Sequence, residues 1–185
     1  MLPLPPCSAS CCPVSLPSWP QATCTNYKTP LESRRSSVDS FYEEEAMRKV
    51  EENIQVVKRN FEAFGQGDIQ GALNTFAENV DFQSPVTRNA HPEMSWAKPR
   101  HSRGEVAAFF KELAEKTQVR SMEPREFTAQ GDRVIVEGKN TGIVKSTGRS
   151  YEHDWVMVFT IRDGKIIKHH HYYDTADVMV AFRSE

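Results

Sequence analysis

Beyond Cys24 the chain, which is 185 residues long, contains no cysteine. Whatever the body of the molecule does, it uses neither a disulfide nor a thiolate. Nor does any apolar run approach the roughly 20 residues a membrane-spanning helix needs, so no membrane partner is expected. Charge is not in excess on either side: 23 Lys and Arg stand against 25 Asp and Glu, a formal net charge of −2. That balance gives no electrostatic footprint for nucleic acid and no polybasic patch for a lipid surface. Acid is missing before Glu32 in an opening segment crowded with Pro, Ser and Thr. Such a segment buries too little apolar surface to offset the entropy of ordering it.

The whole chain is 38% apolar and 26% charged, which suits one soluble domain with a real core. All four cysteines, Cys7, Cys11, Cys12 and Cys24, lie in the opening segment, and "CSASCC" lacks the CxxC spacing of a zinc site. Residues 1–46 read as a disordered or untranslated extension. A targeting peptide ranks behind these, since arginines are few and no apolar h-region stands out. The folded domain is expected over 47–185, from Met47, and a cytoplasmic location with it.

Periodicity then takes over. Val50, Ile54, Val57, Phe61 and Phe64 recur at steps of four and three, one stripe of an amphipathic helix. "GQGD" ends it with Gly and caps the next helix with Asp68. Ile69, Leu73 and Phe76 mark that short second helix. "NVDFQSPV" reads as a brief strand, followed by a loop with Trp96, Arg100 and Arg103. Ser102 and Glu105 form a capping box for a third helix carrying Val106, Phe109, Phe110 and Leu113. Strands follow at about 119–129, 133–145, 150–161 and 165–174, separated by "QGD", "STGR" and "RDGK" turns. A short helix, "TADVMVAF", comes last, with Asp174 as its cap. Helices first and an antiparallel meander afterwards give an α+β fold.

The stretch "KIIKHHHYYDTAD" holds three of the six histidines. A three-residue loop with Gly164 left-handed would pair Ile161 with Lys165. Phe159 then lies opposite Ile167, Met157 opposite His169, Trp155 opposite His171 and His153 opposite Tyr173. A two-residue Asp-Gly turn would shift this register by one. Odd-numbered residues of both strands share the more apolar, inward face, so His169 and His171 point in and His170 points out.

Four segments carry a family resemblance: "VKRNFEAFGQGDIQGALNTFAENVDFQSPV", "RGEVAAFFKEL", "GDRVIVEG" and "WVMVFTIRDGKIIKHHHYYDTA". In order and spacing they resemble the SnoaL-like branch of the ketosteroid-isomerase-like, or nuclear transport factor 2-like, superfamily, over about residues 48–183. The resemblance implies a cone-shaped, curved antiparallel sheet closed by the N-terminal helices around an apolar pocket, in a homodimer. The steroid isomerases' general-base aspartate falls on Ser84, their oxyanion-hole tyrosine on Asn60 and their second acid near Trp155. None of these matches, so that mechanism is not carried over. The cyclases' acid–base aspartate falls near His171, and histidine can do the same proton transfer near neutral pH.

Three readings of the inward histidines stay open: acid–base groups, ligands of a metal completed by His153, or satisfied wall residues. The expected function is a small-molecule pocket protein acting without cofactor or metal on an apolar compound. Isomerisation, cyclisation, dehydration, hydration or hydrolysis would fit. His171 would transfer the proton with His169 and Tyr173 as partners. Trp155, Met157, His153, Phe64 and Trp96 would contact the ligand, Trp96 as wall or lid. The alternative is a non-catalytic ligand-binding or dimerisation domain, with outward Val156 and Val158 as the dimer contact.

Overall fold

A computed structural model describes residues 30–183, with side chains from 38 onward. The chain divides between Met1–Ser37 and Val38–Glu185, and the fold below is that of the second unit. The cysteines and the leader readings up to residue 29 lie outside the described residues.

Helix α1 runs Pro30–Gly65, so it starts well before Met47. Residues 38–49 are exposed, and the buried stripe begins only at Asn53, followed by Val56, Val57 and Asn60. Two of those four are polar, and each fastens the helix to something. Asn53 Nδ2 donates to the Gly131 carbonyl at 2.9 Å. Asn60 Nδ2 donates to the Ala72 carbonyl at 3.1 Å and to Thr75 Oγ1 at 2.8 Å.

Asp68 caps α2, Ile69–Asn74, through Gly71 N–H. Phe76, expected on that helix, is instead the first residue of β1, Phe76–Gln83. A short strand β2, Arg100–Ser102, follows the loop, and α3 spans Arg103–Lys116. Its capping box forms as expected at Ser102 Oγ, which accepts from Glu105 N at 3.3 Å. The Glu105 carboxylate reaches back one residue further, to His101 N at 2.6 Å. Strands β3 to β6 are Thr117–Gln130, Arg133–Val144, Ser150–Arg162 and Lys165–Tyr173. Helix α4, Thr175–Phe182, starts from the Asp174 cap.

The six strands form one sheet in the order β2-β1-β6-β5-β4-β3. All neighbours are antiparallel except β1 and β6, which are parallel. The sheet is curved and unclosed, and α1 to α3 pack into its concave side: an α+β cone. Cross-strand packing helps it bend. Gly138 pairs with Trp155 and Gly142 with Tyr151, and a Cβ at either glycine would overlap the partner's ring. The missing side chains let these two large rings lie flat across β4.

The β5–β6 pairing differs from the expected register. Asp163 and Gly164 both have positive φ, 51° and 69°, the backbone a two-residue Asp-Gly turn requires. Arg162 therefore pairs with Lys165 and Ile161 with Ile166. A bulge then leaves Ile167 unpaired, and Thr160 meets Lys168. The bulge restores the parity that the shorter turn shifts. Beyond the bulge odd residues face inward together, but two positions from the expected partners: Phe159 opposite His169, Met157 opposite His171, Trp155 opposite Tyr173; before it Ile166, not the expected Ile167, is buried.

Candidate functional site

Within the cone lies a cavity with about 70 Å³ of free volume, lined by residues from every layer. Its floor and walls include Phe61, Phe82, Phe109, Trp96, Met157 and Val178. Polar groups enter from three directions: Ser84 after β1, Asn140 on β4, and His153, His169, His171 and Tyr173 on β5 and β6. An engineered apolar cavity of about 150 Å³ holds a benzene molecule. As closed, this space is therefore small, and a larger guest enters only by displacing side chains.

His171 is the best-placed of the expected residues. Its ring is 6% exposed, and Nδ1 lies 2.9 Å from Ser84 Oγ. Nε2 is buried without a partner. Burial, with His169 and His153 adding to it, holds its pKa well below the usual imidazole value, so the ring is neutral at pH 7. A neutral imidazole has one N–H and one lone pair. If Ser84 donates to Nδ1, then Nε2–H faces the cavity; if Ser84 accepts, Nε2 presents its lone pair. The direction of the Ser84 hydrogen bond and the role of the free nitrogen are therefore coupled.

His169 reaches the same wall but bonds to nothing. Both nitrogens are buried and unpartnered, and the ring stacks on Phe159 with centroids 4.8 Å apart. Burial lowers its pKa to about 3. Its ring centre is 6.3 Å from that of His171, and no hydrogen bond links them. Tyr173 stacks on His153 at 4.5 Å and lies 4.6 Å from the His171 ring. Burial pushes its phenol up, opposed by nearby Trp96 Nε1, which still falls short of a full hydrogen bond. His153 is lowered by burial, which outweighs the Asp154 carbonyl and three carboxylates.

Some expectations need correction. Trp155 does not line the cavity: it stacks on Phe61 at 5.7 Å and fills the space over Gly138. Phe64 lines the outer end of the cavity, beside Phe110 at 5.7 Å. Trp96 is a buried wall residue against Phe182. Arg100 and Arg103 are engaged in ion pairs: Arg100 is buried and pairs with Glu112 at 2.6 Å, and Arg103 pairs with Glu78 at 3.4 Å. Met157, His153, His169, His171, Tyr173, Phe64 and Trp96 do line the cavity. Among the described residues no three His, Cys, Asp or Glu side chains converge as a metal site. No described helix is long and apolar enough to cross a membrane.

Comparison with known proteins agrees with this architecture. The SnoaL-like domain matches the sequence over residues 57–169, more than half of the chain. The chain belongs to the SnoaL-like family. Among solved structures, an NTF2-like protein from Burkholderia xenovorans is 36% identical, with a TM-score of 0.62 over 72% of this chain and 98% of that one. TerC, crystallised with polyporic acid, is 25% identical with a TM-score of 0.62 over 72% and 99% of the two chains. An LEH-like epoxide hydrolase from M. tuberculosis is 15% identical, with a TM-score of 0.57 over 71% and 90%, and shares the fold alone. No curated protein matches the chain.

Proposed function

We propose that this SnoaL-like protein binds a compact apolar molecule in the cone and moves a proton on it through His171 Nε2. Ser84 holds the other nitrogen. The observation that supports this is the Ser84–His171 contact at 2.9 Å beside a buried, unpartnered Nε2. Buried polar atoms without partners cost about 1–3 kcal/mol, and a ligand that bonds to Nε2 recovers part of that. Unpartnered Asn140 Oδ1, also on the cavity, gives a second acceptor to orient the guest.

Proton abstraction would create an imidazolium in an apolar space, which burial opposes. The anion left on the substrate would sit beside it and offset that cost. TerC's crystallisation with polyporic acid is consistent with an organic ligand for this fold. A second reading, ligand binding without chemistry, draws support from the same depressed basicity. A base is most effective with a pKa near the working pH, and His171 lies well below it. We assign either activity to residues 47–185, since residues 38–46 are exposed.

The deciding experiment screens small ketones and aromatic compounds by thermal shift, then incubates each binder in D2O with wild type and His171→Gln. Carbon-bound deuterium that appears with wild type and is lost with the variant supports proton transfer. Binding without exchange supports the second reading. Exchange that His171→Gln leaves untouched overturns the role of His171.

A further inference from the structure

The outer end of the cavity is closed by side chains that it shares with a second depression. Five apolar side chains, Phe64, Phe110, Leu113, Val119 and Met122, line both, beside buried Thr117, whose Oγ1 donates to the Leu113 carbonyl at 2.9 Å. Inside lies the small enclosed space; outside lies a groove of about 840 Å³ between α3, the end of α1 and the start of β3. Each of the five is only half-buried. They come from three different elements and are held by packing alone. Met122 is unbranched and adapts easily, so this partition can yield without breaking a hydrogen bond.

Charge is divided across the partition. The inner cavity is lined by no Asp, Glu, Lys or Arg, and His169 and His171 are held neutral there by burial. The groove carries Lys111, Arg120 and Lys145 against one acid, Glu123. Glu123 is already engaged, by Ser121 Oγ at 2.9 Å and Arg125 at 4.0 Å. Lys145 Nζ donates to the Ala114 carbonyl at 2.5 Å, near the end of α3. Lys111 and Arg120 are exposed, and among the described residues neither is in an ion pair.

We propose that the ligand is an amphipathic carboxylate: its apolar body passes Phe64, Phe110 and Met122 into the cavity, and its charge stays in the groove against Lys111 and Arg120. This rests on the cavity being a ligand site and adds the class and orientation of what enters it. A carboxylate cannot follow the body inward, because an unpaired charge in an apolar space costs several kcal/mol or more. In the groove it meets a guanidinium and an ammonium while still partly hydrated. The ligand therefore enters tail first. Any proton that His171 moves lies at the apolar end, away from the carboxylate.

The test compares 4-phenylbutanoate with its primary amide, 4-phenylbutanamide, by calorimetric titration of the full chain at low salt. The phenyl group enters as the partition yields, and the two probes differ only in charge at the far end. Wild type should bind the acid about tenfold more tightly than the amide, the scale of one charge-assisted hydrogen bond. Added salt should narrow that gap. In Lys111→Gln/Arg120→Gln the acid should fall to the affinity of the amide, with amide binding and Tm unchanged. Equal affinities in wild type, or a preference that survives the double variant, overturn the carboxylate proposal and leave the cavity reading standing. Failure of both probes to bind wild type overturns both.

Discussion

At His169 an imidazole sits among Phe159, Phe76 and Phe82 with neither nitrogen bonded. An apolar side chain of similar volume removes that unmet demand, so His169→Leu should stabilise the fold by about 1 kcal/mol. The pH dependence should change with it. An unfolded imidazole takes a proton near pH 6.5, while folded His169 resists until about pH 3. Between those values the unfolded chain binds more protons. The stability is therefore full above about pH 6.5 and is lost as pH falls toward 3, by up to about 1.4 kcal/mol per pH unit for each such histidine. Urea midpoints at pH 7 and pH 5 check this. His169→Leu should lose visibly less on acidification than wild type, and an unchanged slope counts against burial as the cause. Ser84 illustrates what single-residue reading misses. Its partner is 87 positions away, and only the parallel pairing of β1 with β6, with Phe82 beside His169, brings them together. Serine in that position also carries no intrinsic signal, since alone it is a poor acid and a poor base.

Among the elements, facing was legible in the sequence and register was not. Alternation along β5 and β6 has a period of two and survives any even shift, so the inward set of histidines could be read directly. Their partners depend on the turn and the bulge. "RDGK" is compatible with both loop lengths, and nothing local marks Ile167 as the bulged residue. The same limit explains Trp155: its inward facing was legible, but the gap at Gly138 that receives its ring lies on another strand. That gap makes a prediction. A Cβ at 138 would overlap both the Trp155 ring and the Glu123 carbonyl, and backbone cannot move aside cheaply. Gly138→Ala should cost about 2 kcal/mol, a Tm loss of roughly 4–8 °C. Pairing it with Trp155→Phe tests the cause, because the smaller ring should relieve part of the loss. A Gly138→Ala protein with wild-type Tm would show that β4 and β5 are not held as closely as drawn.

For the whole molecule, the convex face of the sheet poses the remaining physical question. Its concave face is filled by helices and cavity, while the other carries half-buried Ile135, Val156 and Val158. Tyr172 is 43% exposed on the same face. Around them stand Lys139 with Glu152 at 2.6 Å, and Asp81 with His170 at 3.0 Å and Lys168 at 3.7 Å. An apolar centre inside a rim of compensated charges matches the anatomy of protein interfaces, where charge is depleted at the core and retained at the edge. A second copy is the simplest occupant, since a two-fold axis through Val158 would bring the same patch against itself. Light scattering after gel filtration should then give about twice the chain mass of 21.1 kDa. Val158→Glu places two like charges at the centre of that contact and should yield monomer. Because His170 and Val158 point away from the cavity, the monomer should keep its ligand affinity. A wild-type monomer, or a dimer indifferent to Val158→Glu, would assign the convex face to solvent or to another contact.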